Sequence, residues 1–250
     1  MDLGLGGRHA LVTGASKGIG YATAQALVGE GCRVTMVART GSELEMAAKR
    51  IGPGASTFVA DLSKGTEVDR LWAAVGHVDI LVNNAGSIPP GSIEEISEAR
   101  WREAWDLKVF GYINMCRCAM TEMKKHGSGV IINIIGAAGE KPTATYAAGS
   151  AGNAALIALT RALGSTSPSF GVRVVGVNPG PIQTERLVSL LQGLAKEKLD
   201  DPDRWHEFLD KNYPPGTPEQ VAASVALLAS DLSANTSGTV LTIDGGHTAR

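Results

Sequence analysis

Short runs rich in Val and Ile alternate with longer segments of helical period along almost the whole chain. The runs at His9–Thr13, Arg33–Ala38, Ser56–Ala60, Val78–Val82, Gly129–Ile135, Arg173–Val177 and Thr239–Ile243 have the length and β-branched content of strands. Between them, apolar residues recur with a period near 3.6 over Ile19–Gly29, Ser42–Ile51, Lys64–Val75, Glu98–Lys125, Tyr146–Ser165 and Pro218–Leu228, which predicts helices. A strand–helix–strand connection requires parallel pairing, with helices covering the sheet. The strands are continuously apolar rather than alternating, so both faces of the sheet are expected to be buried. The prediction is a single α/β domain over residues 1–250 with a doubly wound, seven-stranded parallel sheet of Rossmann type. The rhythm breaks between Pro181 and Pro218, where Leu187, Leu190, Leu191, Leu194, Trp205, Phe208 and Tyr213 stand among Gly, Pro and charged residues. A helical lid is expected at about 183–217.

Composition narrows the partners. The 250 residues carry 23 Lys and Arg against 25 Asp and Glu, without long runs of either sign. Such a field favours neither nucleic acid nor a membrane surface. Cys32, Cys116 and Cys118 lack metal-ligand spacing and are expected as small buried apolar residues in a reducing compartment. His9, His77, His126, His206 and His247 are scattered with no paired acid or nucleophile motif, so metal or triad chemistry has little support; His206, in the expected lid, is read as an exposed helix residue. The first residues run straight into the first strand, without a signal-like apolar stretch, and the expected location is cytoplasmic.

The chemistry begins where the first strand ends. Gly14, Ser16, Lys17, Gly18, Ile19 and Gly20 form a glycine-rich turn running directly into a helix, whose first backbone N–H groups then point at the turn. That arrangement cradles anions, phosphates above all.

Four further segments stand at the ends of later strands: Asp61-Leu62, Asn83-Asn84-Ala85-Gly86, Asn178-Pro179-Gly180-Pro181-Ile182 with Thr184, and Asp244-Gly245-Gly246. Together with the turn they resemble the short-chain dehydrogenase/reductase family over essentially the whole chain. The resemblance implies a dinucleotide cofactor, with Asp61 accepting from the adenine amino group. It further implies that Leu62, Asn83, Ala85, Gly86, Pro179 and Gly180 line the groove and that Ile182 and Thr184 meet the nicotinamide amide.

The end of the second strand bears on the choice of dinucleotide. An acidic residue there would bind a ribose 2′-hydroxyl and repel a phosphate. This chain has Ala38 followed by Arg39, and Lys17 lies inside the glycine turn, so two cations are expected beside a 2′-phosphate. NADP(H) is therefore expected over NAD(H).

The family's catalytic set is missing. Gapless comparison puts its Asn on Lys108, its Ser on Gly136, its Tyr on Gly149 and its Lys on Asn153. The Asn and Lys look exchanged between two helices, which leaves an ammonium on the opposite wall and Asn153 able to bond the nicotinamide ribose. Tyr146 precedes Gly149 by three residues, on the same helix face, so its phenol is expected to lean into the space that Gly149 leaves. The candidate catalytic pair is Tyr146 as proton donor with Lys108 as electrostatic partner, and Thr143 or Thr145 as a source of the lost hydroxyl.

The leading functional expectation is an NADP(H)-dependent oxidoreductase acting on a small or medium apolar carbonyl or alcohol. The alternatives are a non-redox lyase, cyclase or isomerase on the same scaffold, and an inactive NADP-binding regulatory protein. The resemblance also implies a homotetramer or homodimer packed through the two long helices.

Overall fold

The computed structural model describes residues 1–249, apart from the side chain of residue 197. Seven parallel strands form one sheet: β1 (His9–Thr13), β2 (Arg33–Ala38), β3 (Ala55–Val59), β4 (Ile80–Asn83), β5 (Gly129–Ile134), β6 (Val172–Pro179) and β7 (Val240–Ile243), in the order β3-β2-β1-β4-β5-β6-β7. Side chains alternate across a strand, so each apolar run serves two cores. Ala10 and Val12 of β1 face one core with Val34, Met36, Ile80 and Ile132. Leu11 faces the other with Val37, Leu81, Ile131 and Val174.

Helices α1 (Gly18–Gly29), α2 (Gly41–Ile51) and α8 (Pro218–Ala229) cover the first face through residues such as Leu27, Leu44 and Val225. Helices α3 (Gly65–Val75) and α5 (Gly111–His126) cover the second through Leu71, Trp72 and Met115. Each fully buried Leu, Ile or Val contributes about 1.5–3 kcal/mol relative to exposure.

The long helix expected over Glu98–Lys125 is divided. It begins as α4 (Glu98–Trp105), widens into a π-helical turn at Asp106–Phe110 and continues as α5, with the Gly111 N–H donating to the Asp106 carbonyl five residues back. A π-turn inserts one residue into the helical ladder and re-aims the side chains it contains. Here it turns Lys108 and Val109 inward. Gly111 permits this, because the Leu62 carbonyl would lie 3.0 Å from a Cβ at that position. Helix α6 (Ala147–Thr166) packs against the same turn, where Gly152 meets Val109 and the Trp105 indole, and the indole donates to the Ala148 carbonyl at 3.0 Å.

The segment expected as a lid contains α7 (Glu185–Leu199) and a 3₁₀ helix (Pro202–Phe208). Among the described residues no helix is long and apolar enough to cross a membrane, and no cluster of His, Cys, Asp and Glu is arranged to hold a metal. Cys32 and Cys116 are buried as expected, whereas Cys118 is only half-buried.

Candidate functional site

Strand order reverses between β1 and β4, which opens a crevice outside their C-terminal ends, where sheets of this type bind ligands. The glycine turn fills one side of it. Gly14 has φ of 63°, in the left-handed region, and a Cβ there would meet the Ala85 α-carbon and the Asn84 amide at 2.9 Å. A Cβ on Gly20 would collide with the Gly14 carbonyl. Asn84 closes the turn from β4 by donating to the carbonyls of Thr13 and Gly14 at 3.0 and 3.1 Å. The Thr13 hydroxyl accepts from the backbone N–H groups of Asn84 and Ala85 at 2.9 and 3.0 Å. The backbone of the turn is therefore fixed by its neighbours, leaving the start of α1 directed outward.

The opposite rim comes from the start of α7. Thr184 caps that helix, its hydroxyl accepting from the Leu187 N–H, and its methyl group lies 3.3 Å from where a Cβ on Gly18 would stand. Arg186, a residue sequence reasoning missed, reaches back to donate to the carbonyls of Gly86 and Ile88 at 3.3 and 2.7 Å. An open cleft of about 530 Å³ runs along Gln183, Thr184, Glu185, Val188 and Ser189.

Several residues expected along the groove have their side chains buried. The Asn83 side chain is wholly buried and donates to Asn133 at 2.9 Å, bracing β4 against β5 instead of lining the crevice. Leu62 likewise packs into the core. It is Asn84, between two named positions, whose side chain works in the turn. Pro179 is buried in β6, where it pairs with Ile243, and Gly180 packs on Asp244. Ile182 is buried and bridges to Gly216. Ser16 and Ile19 are partly exposed in the turn, as Ala85 and Gly86 are across from it.

Lys17 and Arg39 are not brought together. Lys17 pairs with Glu185 of α7 at 3.4 Å, while Arg39 stands exposed at the end of β2. Asp61 lies within reach of the Arg39 field. Burial raises its pKa, but Ser63 hydrogen bonds and the charges of Lys64 and Arg39 outweigh it and hold the carboxyl below its usual range.

Beyond the end of β5 lie the four positions, 108, 136, 149 and 153, at which the family's catalytic set is expected. Gly136 has φ of 137°, and a Cβ there would come within 2.8 Å of the Asn153 amide nitrogen. Its N–H donates to the buried Asn178 side chain at 3.3 Å. The Tyr146 ring stands against Gly149, where a Cβ would collide with Cε1 and Cζ. The hydroxyl one bond beyond Cζ consequently lies close to that glycine, not a side chain's length away from it. Thr143 and Thr145 are exposed.

Lys108 is 8% exposed. Its stem crosses Gly86, where a Cβ would collide with Cδ. Its Nζ donates to the Ile134 carbonyl at 2.7 Å and to the Tyr112 hydroxyl at 3.0 Å, and that hydroxyl donates to the same carbonyl at 2.9 Å. Burial, reinforced by the charge of Arg186, brings the Lys108 pKa down to about 7. The hydrogen-bond partner of Lys108 is thus Tyr112 and not Tyr146. Lys108 and Asn153 bracket the end of β5 from two sides, one on Ile134 and the other on Gly136.

Known proteins resemble the chain in sequence and in fold. A cis-4-hydroxycyclohexanecarboxylate dehydrogenase from Sinomonas cyclohexanicum is 34% identical over 97% of this chain and 97% of its own. Among solved structures, an L-sorbose reductase from Gluconobacter frateurii, complexed with NADPH and L-sorbose, superposes with a TM-score of 0.91 at 27% identity, each chain covered completely. An actinorhodin polyketide ketoreductase variant with NADPH gives a TM-score of 0.91 at 28% identity over 98% of both chains. Residues 8–194 match the short chain dehydrogenase family profile. With that match over most of the chain, and whole-length likeness to these proteins in sequence and fold, the chain belongs to the short chain dehydrogenase family of oxidoreductases.

Proposed function

We propose that the protein is an NADP(H)-dependent oxidoreductase that interconverts a carbonyl and an alcohol through a rearranged active site. The observation that carries this reading is the glycine turn: Gly14, Gly18 and Gly20 leave no room for a Cβ or face a close neighbour, so the start of α1 lies open to a diphosphate. NADPH in the L-sorbose reductase and ketoreductase structures supports the choice of cofactor. The absence of an acid at Ala38 and the exposed Arg39 beside it support a 2′-phosphate. Ser16, Lys17, Ile19, Asp61, Ala85, Gly86, Ile182 and Thr184 complete the proposed holding set, and Asn153 faces the nicotinamide ribose. Bound there, the dinucleotide supplies or accepts a hydride.

The chain itself must bind the carbonyl compound, exclude water and move one proton. Helix α7 and the segment to residue 217 form the proposed lid, tied across the crevice by Lys17–Glu185 and by Arg186. Its apolar residues fit a small or medium apolar carbonyl. Two groups carry a transferable proton, the Lys108 ammonium at the end of β5 and the Tyr146 phenol over Gly149 of α6. The test follows NADPH absorbance with a panel of small and medium apolar ketones and aldehydes supplied with NADPH, and of apolar alcohols and cis-4-hydroxycyclohexanecarboxylate supplied with NADP⁺. Turnover of one member supports the reading, and saturable NADPH binding with no turnover overturns it.

That second outcome belongs to a regulatory, cofactor-binding protein. One observation favours it: the spaces of the family's Ser and Tyr are filled, by Asn153 against Gly136 and by the Tyr146 ring against Gly149.

A further inference from the structure

We propose that Lys108, held by Tyr112 and the Ile134 carbonyl, is the general acid and base of this site, and that Tyr112 is its positioning residue. The inference rests on the reading of function above and names the proton carrier within it.

An ammonium has three N–H donors. Two of those on Lys108 are taken, by the Ile134 carbonyl and the Tyr112 hydroxyl, both neutral acceptors. The described hydrogen bonds give the third no partner. A buried charged donor left in that state is costly unless a ligand completes it. The amine stands at the C-terminal end of β5 with its stem on Gly86, beside the crevice where the ligand is expected. The π-turn is the device that directs it there.

Tyr112 does not act as the acid, because it is only 2% exposed and its hydroxyl proton is committed to Ile134. Burial, and secondarily Cys116, raises its pKa far above the ordinary value, so it remains a neutral phenol that orients the amine. Tyr146 has a hydroxyl held near Gly149, and its ring packs against the cluster of Ile88, Ala104 and Ala148. The groups facing Lys108 are Tyr112 from α5, Arg186 from α7 and the Ile134 carbonyl from β5, with Cys116 one turn beyond Tyr112. Together they set an acid poised near neutrality, where general acid–base catalysis is most effective.

In the reducing direction, Nζ gives a proton to the carbonyl oxygen as the carbonyl carbon receives a hydride from the reduced nicotinamide dinucleotide. An N–H bond, the C=O π bond and the C–H bond of the donating dihydronicotinamide break, O–H and C–H bonds of the alcohol form, and the dinucleotide is left oxidised. The neutral amine then takes a proton back from water. In the reverse direction the neutral amine accepts the alcohol proton as hydride leaves.

The experiment combines a titration without cofactor and a kinetic comparison. Lysine labelled with ¹³C at Cε reports the ionisation of Lys108, assigned by its loss in Lys108→Met. A midpoint near 7 that moves in Tyr112→Phe is expected; a midpoint near 10 overturns the proposal. With the panel member turned over fastest, Lys108→Met is expected to lower kcat by about 10²–10⁴-fold with little change in KM for NADPH. Tyr112→Phe is expected to shift the pH profile of kcat. Methylamine is expected to restore part of the rate in Lys108→Ala, which a purely structural lysine would not show. Wild-type kcat in Lys108→Met overturns it. Failure of every panel member to react overturns the reading of function instead, while the titration still decides whether Lys108 is poised as an acid.

Discussion

The ring of Tyr146 lies against the α-carbon of Gly149, filling the first part of the space that a side chain at residue 149 would need. The two residues are therefore coupled. Gly149→Ala should force the ring to move and lower stability by about 1–3 kcal/mol, the usual cost of overpacking. Adding Tyr146→Ala should cancel much of that loss, because the clash disappears. Urea unfolding of the two single variants and the double variant measures the coupling, and simple additivity would show that the contact does not matter.

Restoring the family's hydroxyl at residue 136 is a separate test. With φ of 137° and the Asn153 amide 2.8 Å from the site of a Cβ, Gly136→Ser should destabilise the fold by about 1–3 kcal/mol. It should also fail to raise turnover. A stable, faster Gly136→Ser enzyme would mean that the β5 end adapts freely.

Lys108 makes stability depend on pH with a definite sign. Its folded pKa of about 7 lies below the ordinary value of 10.5, so between those values the unfolded chain holds a proton that the folded chain lacks. Stability should rise with pH through that window, by at most about 1.4 kcal/mol per pH unit. Cys116, pushed up to about 12 by burial, opposes this only above the ordinary thiol pKa of 9.0. Chemical denaturation between pH 7 and 9 should give a rising slope in the wild type and a flatter one in Lys108→Met.

Arg39 carries the proposed choice of dinucleotide more than Lys17, whose ammonium is drawn to Glu185. Arg39→Asp should weaken NADPH binding at least tenfold relative to NADH, since a charge-assisted contact contributes roughly 1.5–3 kcal/mol. Lys17→Ala should change the ratio less. Equal effects of the two substitutions, measured by calorimetry, would contradict this ordering.

The strands and most helices were legible because the central strands of a parallel sheet demand apolar runs, and every such run became a strand within a few residues, although the edge strands β3 and β7 are largely exposed or half-buried and not covered on both faces as expected. The π-turn at Asp106–Phe110 left no trace in periodicity, since one inserted residue barely disturbs a long helical pattern. It nevertheless decides where Lys108 points. The motif reading located the crevice but not the direction of each side chain in it, so Asn83 and Leu62 were expected in the groove and are found in the interior. Tyr112 was invisible for a related reason: an aromatic four residues after Lys108 looks like core until the inward turn brings its hydroxyl to the amine. Arg186 looked like an ordinary charged residue at a helix start, and only the fold places it against the carbonyls of Gly86 and Ile88.

Calorimetric titration of the purified protein with NADPH and NADH bears most directly on a phosphorylated dinucleotide held at Gly14, Gly18 and Gly20. Saturable binding of NADPH, at least tenfold tighter than NADH, is the expected result, one 2′-phosphate contact being enough to produce it. No saturable heat with either dinucleotide would contradict it.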